Sequence, residues 1–154
     1  RCRDGKRLIS TWSTDNGNTW TPTSHLLIPN NNAGVDAVTL RDGRQLIVYA
    51  PSSRAGGTSV GPEGGNKGRS LLNVSVSRDG KAWDAAILLE STKKDNGRKS
   101  YPAVIQSGDG LVHITYTYHR KKVKHVVLNP ECIKNPTPMP DGKWPSSGPA
   151  SIVP

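Results

Sequence analysis

Short runs of alternating apolar and polar residues recur along this chain, each ending at a turn signal. Residues 35–40 read Val-Asp-Ala-Val-Thr-Leu and lead into Asp42-Gly43, and residues 45–49, Gln-Leu-Ile-Val-Tyr, lead out. Residues 103–105 and 111–116 flank Asp109-Gly110 in the same way. Asp-Gly between alternating runs predicts a tight hairpin, because Gly accepts the positive φ the turn demands. Asp4-Gly5, Asp79-Gly80 and Asp141-Gly142 repeat the signal. Further strands are predicted over residues 6–12, 24–28, 70–77, 84–90 and 122–128. No window holds a helical period, so the chain reads as all-β.

Two sections resemble each other. Asp42-Gly43 followed by Tyr49 recurs 67 residues later as Asp109-Gly110 followed by Tyr116. Residues 13–20, Ser-Thr-Asp-Asn-Gly-Asn-Thr-Trp, recur loosely at 77–83 as Ser-Arg-Asp-Gly-Lys-Ala-Trp. Such spacing indicates a repeat architecture with a unit of four strands and one long loop. The long loop, residues 51–68, is rich in Gly and Ser, but no Gly-Lys-Ser/Thr follows at phosphate-loop spacing. Residues 131–154 hold six of the twelve prolines and little periodicity, which predicts an irregular tail, extended or disordered, separate from a body over residues 1–130.

Composition narrows the classes. With 33% hydrophobic residues and no Phe, the core is expected to be thin and built from Val, Ile, Leu, Tyr and Trp. No apolar stretch approaches the roughly 20 residues of a membrane helix. A net charge of +9 invites a nucleic-acid reading, and residues 119–125 concentrate four cations. No aromatic platform interleaves that run, so a basic hairpin turn is expected and no specific nucleic-acid partner. Cys2 and Cys132 are too far apart in sequence for a metal site, and the four histidines lack zinc-type spacing, so no metal and no cofactor are expected. Whether the two cysteines pair stays open. The Asn73-Val74-Ser75 sequon lies in a strand-like run and is read as chance.

The segment Ser13, Asp15, Gly17, Trp20 fits Ser-x-Asp-x-Gly-x-Thr-Trp, the Asp box of sialidases and other BNR-repeat proteins, in full. Ser77, Asp79 and Trp83 form a copy one residue short. The Asp is expected to accept from turn N–H groups, and the Trp to pack between strands. Residues 29–38, 68–74, 100–106, 112–118 and 124–128 also resemble a sialidase-like BNR-repeat family, so the resemblance covers about residues 1–130 and matches the C-terminal half of a member. It implies a partial sialidase-type β-propeller of about two to two and a half four-stranded blades. About nine strands are counted, against roughly 24 in a six-bladed ring. Such a piece would leave a sheet face open to the missing propeller half or a second copy.

Sialidases clamp an acidic sugar's carboxylate with three arginines and attack with a tyrosine paired to a glutamate. A phenol avoids the repulsion a carboxylate nucleophile would meet from the sugar's own charge. By position, the resemblance implies that Arg69 and Arg1 are substrate-binding arginines and that Tyr101 is the nucleophile. The first arginine, the acid/base aspartate and the glutamate would belong to the missing half. The chain is therefore expected to be glycoside-hydrolase related, acting on or binding terminal acidic sugars, and inactive in isolation. If active, it would be an exo-glycosidase. The alternative is a non-catalytic glycan- or protein-binding β module.

Overall fold

The computed structural model describes residues 4–55, 58–60, 70–91 and 97–146. Among these residues twelve strands follow one another: β1 (Arg7–Ser10), β2 (Ser24–Pro29), β3 (Asp36–Thr39), β4 (Gln45–Tyr49), β5 (Ser53–Ala55), β6 (Thr58–Val60), β7 (Leu72–Ser77), β8 (Asp84–Glu90), β9 (Lys99–Gln106), β10 (Val112–Tyr118), β11 (Lys122–Leu128) and β12 (Thr137–Pro138). One 3-10 turn, Pro130–Cys132, interrupts them. The sequence-predicted runs coincide with β1 to β4 and β7 to β11. All sheet pairs are antiparallel, and none of the sheets closes into a barrel.

The strands form three stacked sheets and a small hairpin. β1 pairs with β2. The middle sheet has the order β12-β8-β7-β4-β3, and the third β11-β10-β9; β5 and β6 pair apart from these. The sheets stack because the middle one is apolar on both faces. Leu46, Val48, Leu72, Val74, Val76, Ile87 and Leu89 meet Val104, Val112, Ile114, Tyr116 and Leu128 of the third sheet. On the other face, Ile47, Tyr49, Trp83 and Ala85 meet Leu8 and Ile28 of the first hairpin. This double burial explains why β7 is buried at every position, reading as a continuous run and not an alternating one. The outer face of the third sheet leaves Ile105, Val123 and Val127 exposed.

The Pro-rich segment runs back along the body as far as it is described. Arg44 donates to the carbonyls of Pro130 and Ile133 at 2.9 and 3.2 Å. β12 then adds to the outer edge of β8 through Thr137 and Pro138. Met139 is buried, and Trp144 packs against the cluster that holds Leu8 and Trp83. A Pro-containing strand suits an edge, since Pro has no N–H to offer a further neighbour.

Two ends of the stack result from this topology. Residues 13–20, 40–44, 77–83 and 107–111 turn at one end. The described residues 30–35, 50–52, 70–71, 91, 97–98 and 119–121 lie at the other. The second is called here the loop end.

Candidate functional site

At the first end, the two Ser-x-Asp turns share one bonding scheme. Asp15 accepts the Thr19 backbone N–H at 2.9 Å and the Thr19 hydroxyl at 2.6 Å, and Ser13 donates to it at 2.8 Å. The Ser13 hydroxyl in turn accepts from the Gly17 N–H. Trp20 Nε1 donates to the Gly17 carbonyl at 3.0 Å. In the shorter copy, Asp79 accepts from Lys81 and Ala82 N–H, both at 2.8 Å, and from Ser77 at 3.0 Å. Trp83 Nε1 donates to the Gly80 carbonyl at 3.2 Å. One residue fewer thus changes which amides reach the carboxylate but not the closure of the turn.

These donors hold both carboxyls below the usual range. For Asp15 the Thr19 hydroxyl is the main cause, followed by the Thr19 amide, and the value falls to about 2. For Asp79 the Lys81 amide leads. Each donor named here is spent within its own turn, so the arrangement is structural chemistry. The expectation that the Trp packs between strands describes Trp83, which is buried, but not Trp20, which is 61% exposed. Trp20 sits at the open side of the first hairpin, and its ring lies over Gly17. Trp12, outside the motif, makes the link between turns that the sequence did not suggest: its indole rests on Gly80.

The loop end carries the reactive side chains. Tyr101 stands there on β9, 65% exposed, with φ of +54°. The register explains that angle. Thr115 faces Ala103, while Thr117 faces Ser100, so Tyr101 and Pro102 together oppose one residue of β10. The extra residue makes a β-bulge; Tyr101 keeps the exposed phase of Ala103 and Ile105, and the alternation breaks before it, where Lys99 and Ser100 are both buried. A left-handed tyrosine inside a strand is strained, and such strain collects at functional positions. The Tyr101 backbone also lies against Gly34, where any Cβ would stand about 3.6 Å from the Tyr101 Cα.

A second tyrosine carries a carboxylate partner. Tyr116 donates to Glu90 Oε1 at 2.5 Å, and Lys124 Nζ reaches the same oxygen at 2.6 Å. Tyr116 is buried, and its phenol is pushed upward, first by burial and then by the Glu90 hydrogen bond and charge. A phenol pushed upward stays protonated and donates; it is not prepared to attack. Tyr101 has no hydrogen-bond partner for its hydroxyl among the described residues, and Glu90 is engaged elsewhere. Arg1 and Arg69 lie outside the described residues, as does Cys2. Cys132 is an exposed free thiol.

The loop end is basic. Lys99, Lys122 and Lys124 place their ammonium groups 5.3 to 5.5 Å from the Tyr118 ring centre. His119 stacks on the same ring, at 4.1 Å between centroids. The cation run at 119–125 is the hairpin between β10 and β11 expected from sequence. His119 and Arg120 both take positive φ, and Lys121 N–H closes the turn on the Tyr118 carbonyl at 3.1 Å. Buried polar side chains gather at the same end, among them Asn30, Asn31, Ser70, Ser91, Lys99 and Ser100.

Comparison with known proteins gives one result. A family model described as a BNR repeat-like domain matches residues 1–114. No curated protein and no solved structure matches the chain. No helix among the described residues is long and apolar enough to cross a membrane.

Proposed function

The chain belongs to the BNR repeat-like domain family, and from that premise we propose that it is a section of a sialidase-like β-propeller whose loop end binds the acidic terminal sugar of a glycan. In this reading the three stacked sheets are about two and a half blades. The exposed apolar face of β9 to β11 takes the next part of the propeller, from the rest of a longer protein or from a second copy. Tyr101 contacts the sugar, and Arg1 and Arg69 clamp its carboxylate, since a planar guanidinium meets a planar carboxylate through paired bonds.

The observation that carries the reading is Tyr101 itself. Its side chain is exposed on a bulged strand, in a left-handed backbone conformation. The exposed cations of the β10–β11 turn, Arg120, Lys121 and Lys122, give the same end a positive field that attracts anions. Among the described residues no carboxylate accepts from the Tyr101 hydroxyl, and in this reading the section binds without turnover. That point also favours the second reading, a glycan-binding module with no hydrolytic role in any assembly.

The test is calorimetric titration with a sialylated trisaccharide and its asialo counterpart, alongside release from a fluorogenic sialoside. Salt-sensitive binding of the sialylated sugar alone, weakened by Tyr101→Phe and Arg69→Ala, is the expected result. Equal binding of both sugars, or none, would sink it. Turnover that vanishes in Tyr101→Phe would replace the binding reading with an enzymatic one.

A further inference from the structure

We infer that the outer face of the third sheet is the contact surface of a weak, symmetric homodimer, in which a second copy of this chain lies face to face with the first, its strands reversed, and that His125 makes this contact acid-sensitive. The inference rests on the reading of this face as a docking surface and deepens it by naming the occupant; it does not use the sugar site.

Register lays the face out in three rows across the strands. Ala103, Thr115 and His125 are cross-strand neighbours in the central row. Toward the Asp109 turn, Ile105, His113 and Val127 form a second row. Toward the loop end, Thr117 and Val123 form the third. None of these residue types carries a fixed charge, on a chain whose net charge is +9. Ile105, Val123 and Val127 are 61%, 70% and 48% exposed. Large apolar side chains gathered on one open face mark a contact surface. The polar groups among them are already partnered. His113 Nδ1 lies 3.0 Å from His125 Nε2, and His113 Nε2 lies 3.0 Å from Ser107 Oγ. Three of the four ring nitrogens thus have partners within the sheet, which lowers the cost of covering the rings.

Charge selects the occupant and its orientation. A second copy presents the same uncharged rows, so two copies meet there without bringing their excess cations into the contact. The strands also end in opposite charge. Arg120, Lys121 and Lys122 of the β10–β11 turn are exposed at the loop end. Asp109 and Glu131 are exposed at the other end, where the Arg41 guanidinium is held by the Ser107 and Gly108 carbonyls. A closed two-fold contact pairs residue i with j and j with i. An axis along the strands would set cationic turn on cationic turn. An axis across the strands reverses one copy and sets each cationic turn over the acidic end of the other. That axis follows the central row. His125 therefore meets its own counterpart, and Val123 of each copy meets Val127 of the other.

The size of the face sets the strength. Strands of seven residues at about 3.4 Å per residue, three of them about 4.8 Å apart, give a face of roughly 24 by 14 Å. That is the small end of specific interfaces and suits a micromolar dimer.

Acid opposes the contact. The groups beside the two rings are Ile105 on β9, Thr115 on β10, Val123 and Val127 on β11, and Asp109 through the Ser107 hydroxyl. Asp109 is the charged one, and it offsets at most one of two imidazolium charges in each copy. Protonation of both rings also breaks the N–H···N bond between them. Association is therefore complete at neutral pH and is lost as pH falls through the imidazole range.

The experiment is sedimentation velocity of the full chain under reducing conditions, over about 1 to 200 μM. A monomer–dimer equilibrium near neutral pH, shifted to monomer at about pH 5, is expected. Val123→Lys and Val127→Glu should each weaken the dimer by more than about tenfold, since each buries an unpaired charge. The double variant should regain most of that loss, because the reversed arrangement sets each new lysine over a new glutamate. His125→Leu should keep the dimer at about pH 5. A concentration-independent monomer at neutral pH would overturn the proposal and leave the face to another section of a longer protein. Single variants that dimerise like the parent, a double variant no tighter than the singles, or acid dissociation that persists in His125→Leu would each overturn it too. Unchanged circular dichroism of the variants keeps a folding defect from imitating the loss. Because Tyr101 borders this face, the monomeric Val127→Glu protein is titrated with the sialylated trisaccharide, so the sugar reading stands or fails separately.

Discussion

The Asp36 carboxylate accepts the backbone N–H of Val104 at 2.8 Å, across the gap between the middle and third sheets. Asp36 lies on β3 and Val104 on β9, and each strand is an edge of its own sheet. A free edge N–H invites unwanted pairing, and here a side chain from the neighbouring sheet occupies it. Arg41 repeats the device one turn on, donating from its backbone to Gln106 and from its guanidinium to the carbonyls of Ser107 and Gly108. The sheets are therefore joined by directional bonds as well as by apolar contact. Asp36→Ala should cost about 1.5–3 kcal/mol in urea unfolding, the usual range for a hydrogen bond to a charged group. A loss under half that size would mean that apolar packing alone holds β9 against β3.

Asp15 makes the first turn pH-dependent. Its carboxyl sits at about 2, below the ordinary 3.8, chiefly because the Thr19 hydroxyl donates to the ionised form. A lowered value means that the fold favours the carboxylate. The resulting stability is complete above the ordinary value and is lost as pH falls from about 4 toward about 2. The melting temperature of Asp15→Asn should therefore lie below that of the parent at neutral pH, with the gap closing in acid. Thr19→Val, which removes the largest cause, should reproduce part of the same pattern. A gap that stays constant across this window would show that the turn's carboxylate is not what its donors stabilise.

The two turns are coupled through Trp12. A Cβ at Gly80 would stand 2.4 Å from the Trp12 indole, and Gly80 has φ of +70°. Gly80→Ala should cost about 1–2 kcal/mol from backbone handedness alone, with a further loss from the displaced indole. In the double variant with Trp12→Ala the steric part disappears, so the two losses should sum to more than the measured one. Strict additivity in chemical unfolding would mean that the indole does not rest on the turn in solution.

Tyr116 and Tyr101 should separate stability from binding. Tyr116→Phe removes a buried donor to Glu90 while Lys124 keeps its contact with the same oxygen, and should cost about 1–3 kcal/mol. It should leave glycan binding intact. Tyr101→Phe should do the reverse, weakening binding with no change in unfolding, since its hydroxyl has no partner among the described residues. If both variants change both properties, the loop end and the Glu90 cluster form one unit.

The turns were the most legible part of the fold. Asp-Gly pairs between alternating runs mark local conformations decided within a few residues, and the hairpins at Asp42, Asp79 and Asp109 follow from that chemistry alone. The Asp-box resemblance likewise led to the family that the match over residues 1–114 shows. Other features depend on partners distant in sequence. The bulge at Tyr101 exists only as a mismatch of register with β10, and His113 meets His125 only through strand pairing. Trp20 and Trp83 carry the same motif, yet one is exposed and the other buried, because burial depends on which sheet stands opposite. Glu90, which holds Tyr116 and Lys124, had no local signal of any kind. A carboxylate ending an apolar strand, 26 residues before a tyrosine, is visible as a pair only once the sheets are stacked.

The strain at Tyr101 gives the sharpest separation of structure from function. A left-handed conformation costs a residue with a Cβ roughly 1–2 kcal/mol, and glycine escapes that cost. Glycine also gives the unfolded chain more freedom, which takes back about 0.5–1 kcal/mol. Because the Tyr101 side chain is mostly exposed, little packing is lost with it. Tyr101→Gly should therefore be neutral to about 1 kcal/mol more stable than the parent, while losing sialoside binding. Tyr101→Val, a β-branched residue that resists positive φ, should be less stable than either. The three proteins, compared by thermal unfolding and by titration with the sialylated trisaccharide, distinguish a tyrosine retained for its side chain from one that the fold itself needs. If glycine lowers stability by more than about 1 kcal/mol, well outside the range set by these two opposing effects, Tyr101 supports the bulge, and its exposed phenol is incidental.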